Sequence, residues 1–158
     1  MQKPWLLGRA VCLLLSAQIG LVGIVGCSSR TPAPPKLVPV AGKVVLDGTP
    51  LTGASVIFVP KDRTKGTGGT GVTDAEGKYH AQHQSSKAGI EPGTYTVLFS
   101  KIAMPDGSPI PAGKNAADVG AAEVLPGQLS NPPPEFNFII VTVPETGGAA
   151  FDFNLASK

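Results

Sequence analysis

From Val38 to Leu46 the chain alternates: Val38, Val40, Gly42, Val44 and Leu46 are interleaved with Pro39, Ala41, Lys43 and Val45. A period of two puts one set on one face of an extended backbone. Further short runs follow at 54–60 (ASVIFVP), 71–73 (GVT), 78–81 (KYHA), 94–100 (TYTVLFS), 138–143 (FIIVTV) and 150–155 (AFDFNL). They are rich in β-branched and aromatic residues, which fit a pleated, half-buried surface, and each is predicted to be a strand. Val56 and Phe58 are expected to share a face, with Val44 and Leu46 on the neighbouring strand. Tyr95, Val97 and Phe99 repeat the alternation, and Phe151, Phe153 and Leu155 close it. No window carries a helical stripe; the Ala-rich stretch 116–124 has room for one turn or two.

Turn chemistry separates the runs. Asp47-Gly48 is a two-residue hairpin signal, with Gly42 and Gly53 flanking the expected hairpin. Asp74-Ala75-Glu76-Gly77 suits a turn opened by an Asp side chain and closed by a left-handed Gly. Glu91-Pro92-Gly93 breaks the chain before the Tyr95 run, and Glu145-Thr146-Gly147-Gly148 joins the last two runs. Seven short strands with no helix to cover a sheet predict an all-β fold, a β-sandwich over residues 38–158.

The pattern before Val38 is of another kind. Lys3 and Arg9 form a basic start, followed by the apolar run AVCLLLSAQIGLVGIV over 10–25. A positive end, a short apolar core and a small-residue exit describe a cleaved secretory signal peptide over 1–26. A spanning helix needs ~20 apolar residues, and Arg9, Ser16 and Gln18 interrupt this run. The exit Ile24-Val25-Gly26-Cys27 resembles the bacterial lipobox. That resemblance implies that Ile24, Val25 and Gly26 are read by the signal peptidase and that the Cys27 sulfur takes a diacylglycerol before cleavage. Cys12 lies within the leader, so after cleavage Cys27 is the only cysteine and no intramolecular disulfide is available. Acyl chains at ~0.8 kcal/mol per buried CH₂ make such an anchor effectively permanent. Residues 27–37, SSRTPAPPK after the cysteine and then Leu37, read as a Pro-rich, semi-rigid tether. Ser28 stands where an Asp would retain a lipoprotein in the inner membrane of well-studied diderm bacteria. By resemblance, this favours the periplasmic face of the outer membrane.

Composition sharpens this picture in two places. The 158 residues include 20 Gly and 16 Pro, about twice the ordinary share of roughly 12% and close to the level at which disorder is the default reading. Their placement answers that: Pro39, Pro50, Pro60, Pro92 and Pro144 fall at strand ends or turns, and most others sit in the tether or between 103 and 135. The formal net charge is +2, and loss of Lys3 and Arg9 with the leader leaves basic and acidic side chains equal at 11 each. A neutral mature chain excludes attraction to a polyanion as a working principle, so no nucleic-acid partner is expected.

Three ordered blocks resemble one family. GKVVLDGTPLTGASVIFVP (42–60) looks like the opening of carboxypeptidase-regulatory-like domains; TDAEGKY (73–79) is similar to that family's T-D-x-x-G-x-Y turn, and IEPGTYTV (90–97) resembles its P-G-x-Y-x-V strand. The resemblance implies a seven-stranded transthyretin-like (prealbumin-like) sandwich, mostly non-catalytic. A single such domain behind a lipobox resembles lipoproteins typical of Planctomycetes. It also implies that part of the long 103–135 segment, around Val124-Leu125-Pro126, packs back along the sandwich.

Candidate chemistry is sparse. His80 and His83 are the only histidines, and three positions apart on a strand they point to opposite faces. No Cys or paired carboxylate completes a metal site near them, so both read as solvated loop side chains. Transthyretin-related hydrolases act through several His and Arg residues and a C-terminal tetrapeptide; this chain ends NLASK and keeps only Arg30 and Arg63 after cleavage. No Ser or Cys sits in a nucleophile elbow or triad context. Sugar binding usually needs an exposed aromatic platform, yet Trp5 is in the leader, and Tyr79 and Tyr95 read as core or edge residues. Lys43 and Asn154 lie on strands where related adhesins form isopeptide bonds, but Asn154, between Phe153 and Leu155, is expected to face solvent. If any surface recognises a partner, the long Pro-rich loop 103–135 is the first candidate.

The expectation is therefore a non-catalytic, lipid-anchored cell-envelope protein without metal or cofactor. The membrane holds it through the lipid, and its sandwich serves a structural or protein-binding role toward an envelope protein. The alternative is a glycan- or peptide-binding module on the same scaffold.

Overall fold

The computed structural model describes residues 34–133 and 138–158. The leader, the lipobox-like Ile24, Val25, Gly26 and Cys27, and residues 28–33 of the tether lie outside the described residues. The domain is all-β, with, among the described residues, only a 3₁₀ turn at Ala117–Val119 and the one-turn helix α1, Gly127–Ser130. The strands are β1 (Val40–Leu46), β2 (Thr49–Pro50), β3 (Ser55–Pro60), β4 (Gly69–Val72), β5 (Lys78–His80), β6 (Gln82–His83), β7 (Gly93–Ser100), β8 (Ile102–Ala103), β9 (Ala122–Glu123), β10 (Ile139–Val143), β11 (Ala149–Ala150) and β12 (Phe153–Leu155). Each predicted run holds a strand. The pairs β2, β6, β8 and β9 are additional, too short to leave a period in the sequence. Among the described residues no helix is long and apolar enough to cross a membrane.

Two five-stranded sheets pack face to face. In the first, β1 is central. One of its edges runs parallel to β11 and β12, with Ala41 opposite Ala150 and Val44 opposite Phe153. Its other edge runs antiparallel to β5 and β2. The second sheet is antiparallel throughout, in the order β10-β7-β3-β4-β6. The 78–83 stretch changes sheets: β5 pairs with β1, and after Ala81 β6 pairs with β4. Between the sheets lie Val40, Val44, Tyr79, Phe153 and Leu155 from one side and Val56, Phe58, Tyr95, Val97 and Phe99 from the other. The aromatic rings touch across the interface, Phe58 with Tyr79 at 6.1 Å and Phe99 with Phe153 at 5.2 Å between centroids.

One sequence expectation is corrected. Val44 and Leu46 are not on the strand beside Val56 and Phe58; β1 and β3 belong to opposite sheets. The Asp47-Gly48 turn does form, with both residues at positive φ (49° and 81°) as a tight hairpin requires. It returns the chain only as far as Thr49 and Pro50, opposite Leu46 and Val45. Pro50 offers no further donor, and the chain crosses the core edge through buried Leu51 and Ala54. There the Thr73 hydroxyl accepts the Ala54 N–H at 2.8 Å.

Gly42 has a different reason from the hairpin flank expected of it. Between β11 and β12 the pairing with β1 is interrupted at Phe151 and Asp152, although the register is the same on both sides. The Phe151 carbonyl turns inward over Gly42 and accepts the Tyr79 hydroxyl at 3.0 Å. The Lys43 N–H thereby loses its ladder partner and donates instead to Asp152 Oδ1 at 2.8 Å.

Candidate functional site

Alternation decides what the second sheet shows to the outside. With Tyr95, Val97, Phe99, Val56 and Phe58 facing inward, the outward positions fall into rows across the strands. Ile140, Thr96 and Val59 form one row; Leu98, Ile57, Thr70 and Gln82 the next; Ser100, Ser55 and Val72 a third. No ionisable side chain stands in any of them. Val72 is 63% exposed, Ile140 50% and Val59 40%, while Ile57 and Leu98 between them are half-buried. Ordinary chains carry about 25% charged residues, concentrated at the surface. The outer face of the first sheet follows that norm, presenting Lys43, Lys78, His80 and Asp152. A contiguous neutral face with exposed β-branched side chains is the feature expected of an interaction surface.

The face ends at β10. Among the described residues no strand pairs with the far edge of β10. Its sequence, Ile139-Ile140-Val141-Thr142-Val143, contains neither a charge nor a proline.

The residues singled out from the sequence are distributed differently. Tyr79 and Tyr95 are buried in the core, so neither offers a platform for a sugar ring. Lys43 and Asn154 both face out from the first sheet, and Asn154 is opposite Val45, not Lys43. His80 is exposed. His83 is not a solvated loop histidine, and that expectation is corrected: its side chain is 10% exposed and sits in a polar cluster. Ser85 donates its backbone N–H to His83 Nδ1 at 3.0 Å, with the Ser85 hydroxyl at 2.7 Å from the same nitrogen. Nδ1 is thereby an acceptor, and Nε2 carries the proton toward Glu91 Oε1 at 3.0 Å. The Thr67 hydroxyl lies 2.8 Å from Nε2, and Thr67 N–H also reaches Glu91 Oε1 at 3.3 Å. Glu91 Oε2 is buried without a partner. The cluster ties the 83–87 turn to the 64–68 loop and to the start of β7. Glu91 was invisible as a partner because it meets Thr67 only through the tertiary fold. Among the described residues, no three His, Cys, Asp or Glu side chains converge on a common point.

No protein-family model and no curated protein matches the chain. Among solved structures it is similar to a 9R-lipoxygenase from Cyanothece PCC8801, at 14% identity and a TM-score of 0.36. The alignment covers 77% of this chain but 16% of the lipoxygenase. A likeness that faint carries no argument about fold or activity.

The long segment after β7, expected as the first candidate for recognition, is partly built into the domain. β8 and β9 pair as a ribbon. Leu125 is buried in the core, at the place where the resemblance implies that the segment packs back, and Leu129 of α1 leans on the same cluster. Glu123 fastens this arrangement. Its Oε1 accepts the N–H groups of Lys101 and Leu125, each at 2.9 Å. Burial pushes the Glu123 carboxyl up, but hydrogen bonds from the Ser100 hydroxyl and the Lys101, Leu125 and Val124 N–H groups outweigh it. The net effect holds Glu123 below the usual carboxylate range. A depressed pKa contributes stability that is present above the unfolded value and lost as pH falls through the folded one. Unfolding midpoints in urea, followed from neutral pH to below 4, should therefore fall less steeply for Glu123→Gln than for wild type. Asp47 and Asp106, also held low by Ser157 and Ser108, remain in both proteins, so the difference isolates Glu123. Equal slopes would remove the fastening role.

Proposed function

We propose that the chain is a non-catalytic, lipid-anchored cell-envelope protein that presents its β-sandwich as a protein-binding module. Cys27 carries the lipid, residues 27–37 are the tether, and the membrane is the periplasmic face of the outer membrane. The domain is read as a transthyretin-like sandwich of the carboxypeptidase-regulatory-like kind. The two-sheet core supports that reading, together with the Asp74 turn, in which Oδ1 accepts the Glu76 and Lys78 N–H groups at 3.0 and 2.8 Å. The observation that carries the binding role is the neutral outer face of the second sheet. With both tyrosines in the core, this surface suits a protein better than a glycan.

Two measurements test the two halves. Labelled palmitate should enter wild type and not Cys27→Ala; equal labelling overturns the anchor. Capture from detergent-solubilised envelope should enrich a protein with wild type that Val72→Lys fails to hold. Val72 is 63% exposed, so the change is expected to leave stability within about 0.5 kcal/mol. Identical captures by both proteins would overturn the use of this face.

A further inference from the structure

We infer that β10 pairs with the β10 of a second copy, antiparallel about a two-fold axis at Val141, joining the two neutral faces into one continuous sheet surface. This rests on the reading of the domain as a binding module and says how two copies combine the face it uses.

Lys61 donates its N–H to the Thr94 carbonyl at 2.9 Å, and the Thr94 N–H goes to the Thr64 hydroxyl at 2.8 Å. Both groups of Thr94 therefore point to the β3 side of β7. Successive residues of a strand alternate, so those of Tyr95 point to β10, where Val141 is the opposite residue. Val141 spends its N–H and C=O on Tyr95. Ile140 and Thr142 consequently aim theirs at the free edge.

A two-fold axis through Val141 sets Ile140 opposite Thr142 of the second copy, and Thr142 opposite its Ile140. Each such pair exchanges the N–H and C=O groups that have no strand partner among the described residues. The Val141 residues face each other as a non-hydrogen-bonded pair, whose Cα atoms stand about 4.5 Å apart. The register is self-complementary and brings no charges together.

Other edges are protected by the devices that keep sheets apart. The β11–β12 edge is broken at Phe151 with Asp152 beside it, β5 carries Lys78 and His80, and β6 is only two residues long. β10 has none of these. The chain's own tether is a poor substitute for a second copy, because Pro32, Pro34 and Pro35 have no N–H to give.

The test uses the full-length lipoprotein in detergent, with mass measured by light scattering over a concentration series. Wild type should be a dimer. Thr142→Pro removes one donor per copy at the free edge and none from the β10–β7 ladder, so it should weaken the dimer roughly 30-fold. Ile140→Lys should weaken it as well, whereas Val72→Lys, at the other end of the face, should not. Unchanged urea midpoints show that the variants fold. Val141→Cys should form an interchain disulfide on mild oxidation, since its Cα spacing suits one, while wild type, with the Cys27 sulfur held by the lipid, gives none. A monomeric wild type overturns the inference, and so does a dimer indifferent to both edge substitutions. Neither result touches the anchor. A monomer that still captures an envelope protein through Val72 overturns the dimer and leaves the binding module standing as a single copy.

Discussion

Gly42→Ala should destabilise the domain by about 3 kcal/mol, the upper part of the range for forcing extra atoms into a packed site. A Cβ at Gly42 would overlap the Phe151 carbonyl oxygen, lie 2.6 Å from the carbonyl carbon and stand 3.0 Å from the Tyr79 ring. None of these can retreat cheaply. The carbonyl is backbone, it is held by the Tyr79 hydroxyl, and its inward turn is matched by the Lys43–Asp152 bond on the other side of the strand. Relieving the overlap means restoring an ordinary ladder, which strands the Tyr79 hydroxyl in the core. Gly148→Ala is the control. Its Cβ would meet only the Pro39 carbonyl oxygen at 3.6 Å, an ordinary contact, and should change stability by less than about 0.5 kcal/mol. Equal urea midpoints for the two variants would mean that the inward carbonyl is not a constraint.

The second large effect lies at high pH. Burial pushes the Tyr95 phenol up to about 12 from an ordinary 10.0, and the Glu91 carboxylate adds to it. Burial, then the Asp152 charge, pushes Tyr79 up as well. Both phenols donate to backbone carbonyls, Tyr95 to Glu91 at 2.7 Å and Tyr79 to Phe151 at 3.0 Å, so ionisation also breaks a bond. A raised pKa favours the neutral phenol in the folded state. The contribution is complete below the unfolded value of 10 and disappears as pH rises through the folded one. These are the only two tyrosines in the chain, so phenolate absorbance reports on them alone. The absorbance should rise late and cooperatively above pH 10, together with loss of near-ultraviolet circular dichroism. Tyr95→Phe should make that alkaline loss smaller. A gradual titration centred on pH 10 with the fold intact would contradict the burial of both rings.

How far the sequence discloses this molecule depends on the range of each interaction. Alternation marked the longer strands because each has one buried face: Tyr95, Val97 and Phe99 differ from Thr96, Leu98 and Ser100 within a single run. It also contained the neutral face, since the outward residues of β3, β4, β7 and β10 are read from the same alternation. What it lacked was the sheet order that puts those rows side by side. A period tells which face a side chain takes and never which strand lies next, which is why β1 and β3 looked like neighbours. Two-residue strands such as β2 and β6 leave no period at all. The His83–Glu91 cluster and the carbonyl over Gly42 join residues 8 and 109 positions apart. In each case the group that explains the residue is brought in by the fold.

The parallel pairing of β1 with β11 and β12 has a consequence for the order of events. The first strand of the domain receives its partner on one edge only from the domain's last strands, with Val44 opposite Phe153. Closing so long a loop costs entropy before any contact rewards it. Until then the inner face of β1 lacks the Phe153 and Leu155 that cover it, and the core cannot lock. On the proposed export route the chain therefore stays threadable until the segment that carries Phe153 and Leu155 has been made, and the domain folds only once that segment has emerged.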